Sequence, residues 1–334
     1  VTGALLEIRG LNVSFQAAGG ALRRALRGVD FDLAAGETHA LVGESGSGKT
    51  VASLAVMGLL PAPAARVEGG CVRFRGRELL DLPAEARRRL RGREIAMVFQ
   101  EPGKYLNPAF TIGEQIVETL VMHLPLDRRA AAARAMELLA KVGLEGTRRR
   151  MKTFPHELSG GMKQRAMIAM AVACRPALLI ADEPTTALDV TLQLQIVRLL
   201  RELQAEFSMG IVFISHDLRV VGEIADRVSV IYAGRIVETG GREALFRDPR
   251  HPYTRLLLES IPQASRRGRR LTAIPGLVPD AERIPAGCSF HPRCPLAQAL
   301  CREAEPAAVD AGGGRRAACH FIGKPWTPSS TSAG

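Results

Sequence analysis

Gly43-Glu44-Ser45-Gly46-Ser47-Gly48-Lys49-Thr50 is the stretch that decides the fold. It fits the pattern G-x-x-x-x-G-K-[ST], a glycine-rich turn followed by a lysine and a hydroxyl. Glycines let successive backbone N–H groups curl around a β-phosphate, and the helix that follows offers its positive N-terminus to the same anion. Lys49 can then reach β- and γ-phosphates, and the Thr50 hydroxyl can ligate Mg²⁺. The flanks supply the required context. Thr38-His39-Ala40-Leu41-Val42 reads as a buried strand, and Val51 to Leu60 reads as a helix stopped by Pro61.

A phosphate loop says only that a nucleotide binds, and the next motifs say more. In Leu158-Ser159-Gly160-Gly161-Met162-Lys163-Gln164-Arg165, Ser159 stands where a helix N-cap would, ahead of the apolar run Ala166 to Cys174. A serine hydroxyl and glycine amides at a helix N-terminus form a second anion site. One chain does not need two phosphate sites for one ATP, whereas two chains packed head to tail would each close the other's nucleotide. Downstream, the apolar run Ala177 to Ala181 predicts a buried parallel strand that delivers Asp182 and Glu183 at its C-terminal end. Asp182 would hold Mg²⁺ through water, and Glu183 would polarise the attacking water as general base. The next strand, Gly210 to Ile214, ends in Ser215-His216-Asp217, so His216 can donate to a γ-phosphate or hold the water.

In this order, Gly43 to Thr50, Gln100, the Leu-Ser-Gly-Gly stretch, Asp182-Glu183, Ala187-Leu188-Asp189 and His216 resemble the nucleotide-binding domain of ABC ATPases, over about residues 4 to 240. The resemblance implies an α/β fold: a P-loop ABC ATPase with an antiparallel β layer and a helical subdomain at about 101–170. It also implies that Gln100 touches Mg²⁺ beside Thr50 and Asp182, and reports to a membrane partner. Ser159, Gly160, Gly161, Gln164 and Asp189 would meet the ATP held by a second chain. Phe15 would stack on adenine, although it equally fits the alternating strand Leu11-Val13-Phe15 as plain core.

After Gly241 the composition shifts, with prolines breaking the chain into short pieces. Pro252 at a helix's first turn, with leucines after it, predicts a short docked helix. His251-Pro252-Tyr253, Ile274-Pro275-Gly276-Leu277-Val278-Pro279 and Cys288-Ser289-Phe290-His291-Pro292-Arg293-Cys294-Pro295 resemble the C-terminal extension of dipeptide, oligopeptide and nickel importer ATPases. Residues 241–334 are therefore expected to form a small loop-rich extension with a disordered tail over the last ten residues. Cys288, Cys294, Cys301 and Cys319 are spaced x₅, x₆ and x₁₇. That is unlike the usual C-x₂₋₄-C zinc pairs and unlike ferredoxin patterns. The family resemblance implies a [4Fe–4S] cluster; zinc and unligated thiols are the alternatives. Cys71 and Cys174 stand apart, as core residues of a strand and a helix.

The bulk numbers set limits. At 334 residues there is room for two domains, and 46% hydrophobic with 24% charged residues is ordinary globular composition. No apolar run approaches the roughly 18 residues of a membrane span, and the first residues lack a signal-peptide pattern. A cytosolic chain is expected, peripheral at the cytoplasmic face of the membrane. The net charge of +11 comes from 45 basic against 34 acidic residues, clustered at Arg87-Arg88-Arg89, Arg148-Arg149-Arg150 and Arg266 to Arg270. With three Tyr and one Trp there is little to stack on bases, which argues against nucleic acid. Solvated arginine faces or an anionic leaflet account for the charge.

The expected function is ATP hydrolysis that powers peptide import, with nickel or another small solute as alternative cargo. The expected partners are a second ABC ATPase, as a heterodimer, two membrane permease subunits and, indirectly, an extracytoplasmic solute-binding protein. The competing class is a soluble ABC ATPase acting on DNA or ribosomes. Such proteins carry tandem cassettes, coiled coils or zinc modules, and none is read here.

Overall fold

Two sheets share the buried apolar residues of the chain. The computed structural model describes residues 3–16, 22–261 and 274–322. The last ten residues and the Arg266 to Arg270 cluster, both singled out above, lie outside them. The smaller sheet is antiparallel, in the order β2-β1-β4-β5, from β1 (Leu6–Gln16), β2 (Leu22–Leu33), β4 (Ala65–Phe74) and β5 (Arg77–Glu78). The larger takes β3 (Thr38–Val42), β6 (Ile95–Val98), β7 (Leu178–Asp182), β8 (Gly210–Ser215), β9 (Arg227–Tyr232) and β10 (Arg235–Gly241). It also takes β11 (Val309–Gly312) and β12 (Arg315–Ala317) from the far end of the chain. Its order is β11-β12-β10-β9-β3-β8-β7-β6, with β9, β3, β8, β7 and β6 parallel.

The parallel strands are buried on both faces, and the period-2 alternation of their side chains feeds two cores. Leu41, Ile95, Met97, Ile180, Val212 and Ile214 face the antiparallel layer, where Leu11, Val13, Leu26 and Phe31 meet helix α1 (Lys49–Met57). Ala40, Val42, Val98, Ala181 and Phe213 face the helices on the other side.

Between β6 and β7 the chain is helical: α3 (Pro102–Tyr105), α4 (Ile112–His123), α5 (Arg128–Lys141), α6 (Thr147–Arg150) and α7 (Gly160–Val172), the short α2 (Ala84–Leu90) preceding them. Their starts follow local capping chemistry. Thr111 and Glu114 form a reciprocal capping box on α4, and the Asp127 carboxylate accepts from Ala130 N–H at 2.7 Å on α5. Gly143, at φ +74°, ends α5 as the sequence predicts. The helix after the phosphate loop starts at Lys49 and closes at Gly58 (φ +62°), earlier at both ends than the expected Val51 to Leu60. The rest follows as α8 (Val190–Phe207), α9 (Leu218–Ile224), α10 (Arg242–Arg247), α11 (Pro252–Glu259) and α12 (Ala299–Glu303).

The described residues after Gly241 pack back onto the larger sheet. Ala317 pairs with Glu238, and Arg316 with Thr239, so the β11–β12 hairpin continues the larger sheet. Tyr232 at the end of β9 packs on Tyr253 of α11 and on Phe290, with ring centroids 4.7 and 5.2 Å apart. All three rings are buried, which makes the contact worth the area removed from water plus a modest aromatic pair term.

Candidate active site

Register places the chemistry at one edge. Val42 is level with Ser215, and Asp182 with Ile214, so the C-terminal ends of β3, β7 and β8 deliver the phosphate loop, Asp182-Glu183 and His216 to the same rim. Gln100 follows β6 onto that rim. A cleft of about 310 Å³ opens there, lined among others by Ser45, Gly46, Lys49, Thr50, Gln100 and Glu183.

The loop needs its glycines for reasons of space. A Cβ on Gly43 would sit 2.3 Å from the Ile231 carbonyl oxygen. One on Gly48, at φ +106°, would sit 2.8 Å from the Ala25 oxygen. Lys49 is nearly fully buried, and its Nζ donates to the carbonyls of Gly43 (2.8 Å) and Glu44 (3.0 Å), 3.9 Å from Glu183 Oε1. Burial lowers its pKa, opposed by the charges of Glu183, Asp182 and Glu44.

Glu183 is the hub. Its Oε2 accepts from Gln100 Nε2 (3.1 Å) and Thr186 Oγ1 (2.9 Å), and lies 3.1 Å from His216 Nδ1. The His216 contact, before any other cause, holds its pKa below the ordinary carboxylate value, and the same hydrogen bond raises that of His216. These contacts favour the ionised form of Glu183, the form able to accept a proton. Asp182 is pushed the other way: burial raises its pKa, while a hydrogen bond with Thr50 opposes the rise. Asp182 Oδ1 and Ser47 Oγ are buried side-chain oxygens without a hydrogen-bond partner. The Asp182 carboxylate with the Thr50 hydroxyl hydrogen-bonded to it is an oxygen-only donor pair, which suits Mg²⁺. When bound between Thr50 and Asp182, the ion would supply neutralising charge for the phosphates.

The other expected residues lie elsewhere. Ser159 caps α7, accepting from Met162 N–H at 3.4 Å, and Asp189 caps α8, accepting from Leu192 N–H at 3.0 Å. Both are exposed; Gly161 packs on Leu192, and Gln164 is buried with its Nε2 unpartnered. None of Ser159, Gly160, Gly161, Gln164 and Asp189 lines the cleft. Phe15 does not line it either and packs half-buried against the antiparallel layer's core.

The four thiols do not meet the metal-site expectation as arranged. Cys288, Cys294, Cys301 and Cys319 share one neighbourhood, close enough for Cys294 to sense the charge of the other three, and Cys288 N–H donates to Cys301 O at 2.8 Å. Yet among the described residues no group of three or more His, Cys, Asp or Glu is drawn together tightly enough to hold a metal. Burial favours the neutral thiol, raising Cys288 and Cys319 and pushing Cys294 up to about 12.

Sequence reasoning missed that the extension reaches the cleft. Pro279, Ala281 and Ile284 line it, as do Arg24 and Ala25 of β2. A Pro-rich loop carries no periodicity from which such docking could be read.

Residues 26–186 match the family model described as ABC transporter, and residues 237–301 match the one described as oligopeptide/dipeptide transporter, C-terminal region. A protein of Brucella melitensis named as a peptide import ATP-binding protein is 51% identical over 90% of this chain and 92% of its own length. The dipeptide transport ATP-binding protein DppD of Escherichia coli is 46% identical over 95% of this chain and 97% of that protein. The chain is an ABC transporter ATPase. Among solved structures, a dimeric ATP-binding cassette in a post-hydrolysis state bound to ADP and Pi aligns with a TM-score of 0.64. It is 27% identical and covers 71% of this chain and 98% of that one. The cassette cbiO1 of Clostridium perfringens aligns at 0.62, with 27% identity over 73% and 91%. As in other ABC ATPases, the reaction is ATP hydrolysis. No helix among the described residues is long and apolar enough to cross a membrane.

Proposed function

We propose that this chain is the ATP-hydrolysing subunit of a peptide importer, peripheral at the cytoplasmic face of the membrane and working with two permease subunits and a second ATPase. The observation that carries the peptide reading is the C-terminal match at residues 237–301 joined to an ABC cassette in one chain. The names of the relatives, which concern peptide and dipeptide import, support it.

In this reading Lys49 and the loop amides bind the phosphates, while Thr50, Gln100 and Asp182 hold Mg²⁺. Glu183 takes the proton of the attacking water, and His216 orients Glu183 and the γ-phosphate. Ser159, Gly160, Gly161, Gln164 and Asp189 serve the nucleotide of the partner ATPase, which accords with their position away from this chain's own cleft. Phe15, which does not line the cleft and packs on the antiparallel layer's core, is assigned to adenine on the resemblance alone. Residues 1–240 act as the cassette, with the helical subdomain at about 101–170 meeting the permease, and residues 241–334 as the extension. The test is reconstitution with the co-purified permeases and solute-binding protein in vesicles. ATP-dependent uptake of a labelled dipeptide is expected, and uptake of nickel but not peptide would replace the cargo.

The iron–sulfur reading of Cys288, Cys294, Cys301 and Cys319 rests on their shared neighbourhood and on the resemblance, and requires the thiols to draw closer on loading. Anaerobically purified protein should then be brown, with charge-transfer absorbance, and Cys294→Ser should bleach it. Colourless protein with stoichiometric zinc would replace the cluster, and metal-free folded protein would end the metal reading.

A further inference from the structure

The second residue of the phosphate loop is gripped from two sides. From within the cassette, Lys49 Nζ bonds the Gly43 and Glu44 carbonyls. The ammonium has three donors, so with two on the loop carbonyls one is left for a phosphate, and the Ser47 N–H adds a bond to the Glu44 carbonyl at 3.3 Å. From the extension, Arg293 forms a two-pronged ion pair with the Glu44 carboxylate, Nη1 to Oε2 at 2.8 Å and Nη2 to Oε1 at 2.9 Å. The Glu44 N–H donates to Tyr253 Oη at 3.0 Å. Arg293 is itself fixed: its Nε donates to the Pro275 carbonyl at 2.8 Å, its guanidinium lies 5.8 Å from the Tyr232 ring centroid, and it is 6% exposed. A planar guanidinium so oriented holds a carboxylate in one geometry, which an ammonium cannot do. A carboxylate beside a polyphosphate is also electrostatically adverse, and a buried arginine on that carboxylate offsets it.

We propose that Arg293, assisted by Tyr253, is a positioning residue for ATP: it holds Glu44, and so keeps the phosphate loop in its binding shape, when the phosphates enter beside the Glu44 carboxylate. Both residues come from the C-terminal extension, so that extension sets the nucleotide affinity of the cassette. The inference rests on ATP binding at the phosphate loop. Neither side chain contacts Glu183 or His216, so the effect falls on binding rather than on the chemical step.

The experiment measures Mg·ATP affinity of the full chain by calorimetry, and KM and kcat with its partner ATPase, alongside the unliganded melting temperature. Arg293→Met is expected to weaken ATP binding and raise KM roughly tenfold, the size of a lost charge-assisted pair, with kcat changed less than about twofold. Arg293→Lys should recover only part of the loss. In a Glu44→Gln background Arg293→Met should have less than about a twofold effect, because its partner charge is already gone. If Arg293→Met does not fold, Tyr253→Phe, which deletes one hydroxyl, carries the test with an expected KM rise of about threefold. Unchanged affinity in folded Arg293→Met or Tyr253→Phe would overturn the role, as would a full tenfold effect persisting with Gln at 44. So would a fall in kcat with KM unchanged. Lys49→Ala binding ATP like the parent chain would sink the phosphate-loop reading itself, and the positioning role with it.

Discussion

Glu183, proposed as the general base, shows what one side chain must satisfy for that role. Its backbone sits at φ +46°, a left-handed conformation uncommon outside glycine, with its N–H tied to the Ile214 carbonyl at 3.0 Å. That turn aims the carboxylate at Gln100, Thr186 and His216, and the His216 contact keeps it ionised. Glu183→Gln retains the shape and most of the hydrogen-bonding capacity but cannot take a proton. The variant is expected to bind ATP with parental affinity while hydrolysis falls about 100- to 10,000-fold, the range associated with losing a general base. Undiminished turnover beside the partner ATPase would remove Glu183 from that role. Its place after a buried strand was legible from sequence, because five apolar residues followed by two acids have few other readings. Its left-handed backbone was not, since nothing in Asp182-Glu183-Pro184 calls for it locally.

At the scale of elements, legibility followed local chemistry. Strand β3 was read at its observed limits because Ala40-Leu41-Val42 runs straight into the glycine-rich loop, and α5 because Asp127 and Gly143 bracket it. The β9–β10 hairpin turns at Ala233-Gly234 as read, both at positive φ. The β11–β12 hairpin escaped notice. Its strands are four and three residues long, rich in glycine and arginine, and hydrophobic alternation is too brief there to register. What fixes it is distant: pairing to β10, and Arg315 bonding the Gly312 and Ala244 carbonyls. A Cβ at Gly240 would lie 2.5 Å from Arg315 Cγ, so that glycine serves the docking of a hairpin some seventy residues on. The Arg293–Glu44 pair was equally hidden, spanning 249 residues between two motifs that each had a sufficient local explanation.

Across the whole molecule, two buried histidines make stability depend on pH in a predictable direction. His39 of β3 is buried between Asp32, Ser229 and Arg227. His251 caps α11, its Nδ1 accepting from Tyr253 N–H at 3.1 Å, and its own N–H donates to the buried Glu238 carboxylate at 2.8 Å. Burial lowers both pKa values to about 3 from 6.5, with the Arg227 charge adding to the effect at His39. Because the folded values are depressed, the unfolded chain binds protons that the folded chain refuses. Stability is therefore full above about pH 6.5 and is lost progressively as pH falls toward 3. Each unit of separation is worth about 1.4 kcal/mol, so near pH 5 each histidine withdraws about 2 kcal/mol. Together that is about 4 kcal/mol, a large share of the roughly 5–15 kcal/mol that holds a typical domain. Opposing it, burial raises Glu238, so the folded chain takes up that proton earlier than the unfolded one and regains some stability in acid. Denaturant midpoints measured from pH 8 to pH 5 should fall steeply below 6.5. His251→Gln should flatten the slope by about one proton while lowering stability at pH 8. A midpoint unchanged between pH 7 and pH 5 would mean that neither imidazole is buried in its neutral form.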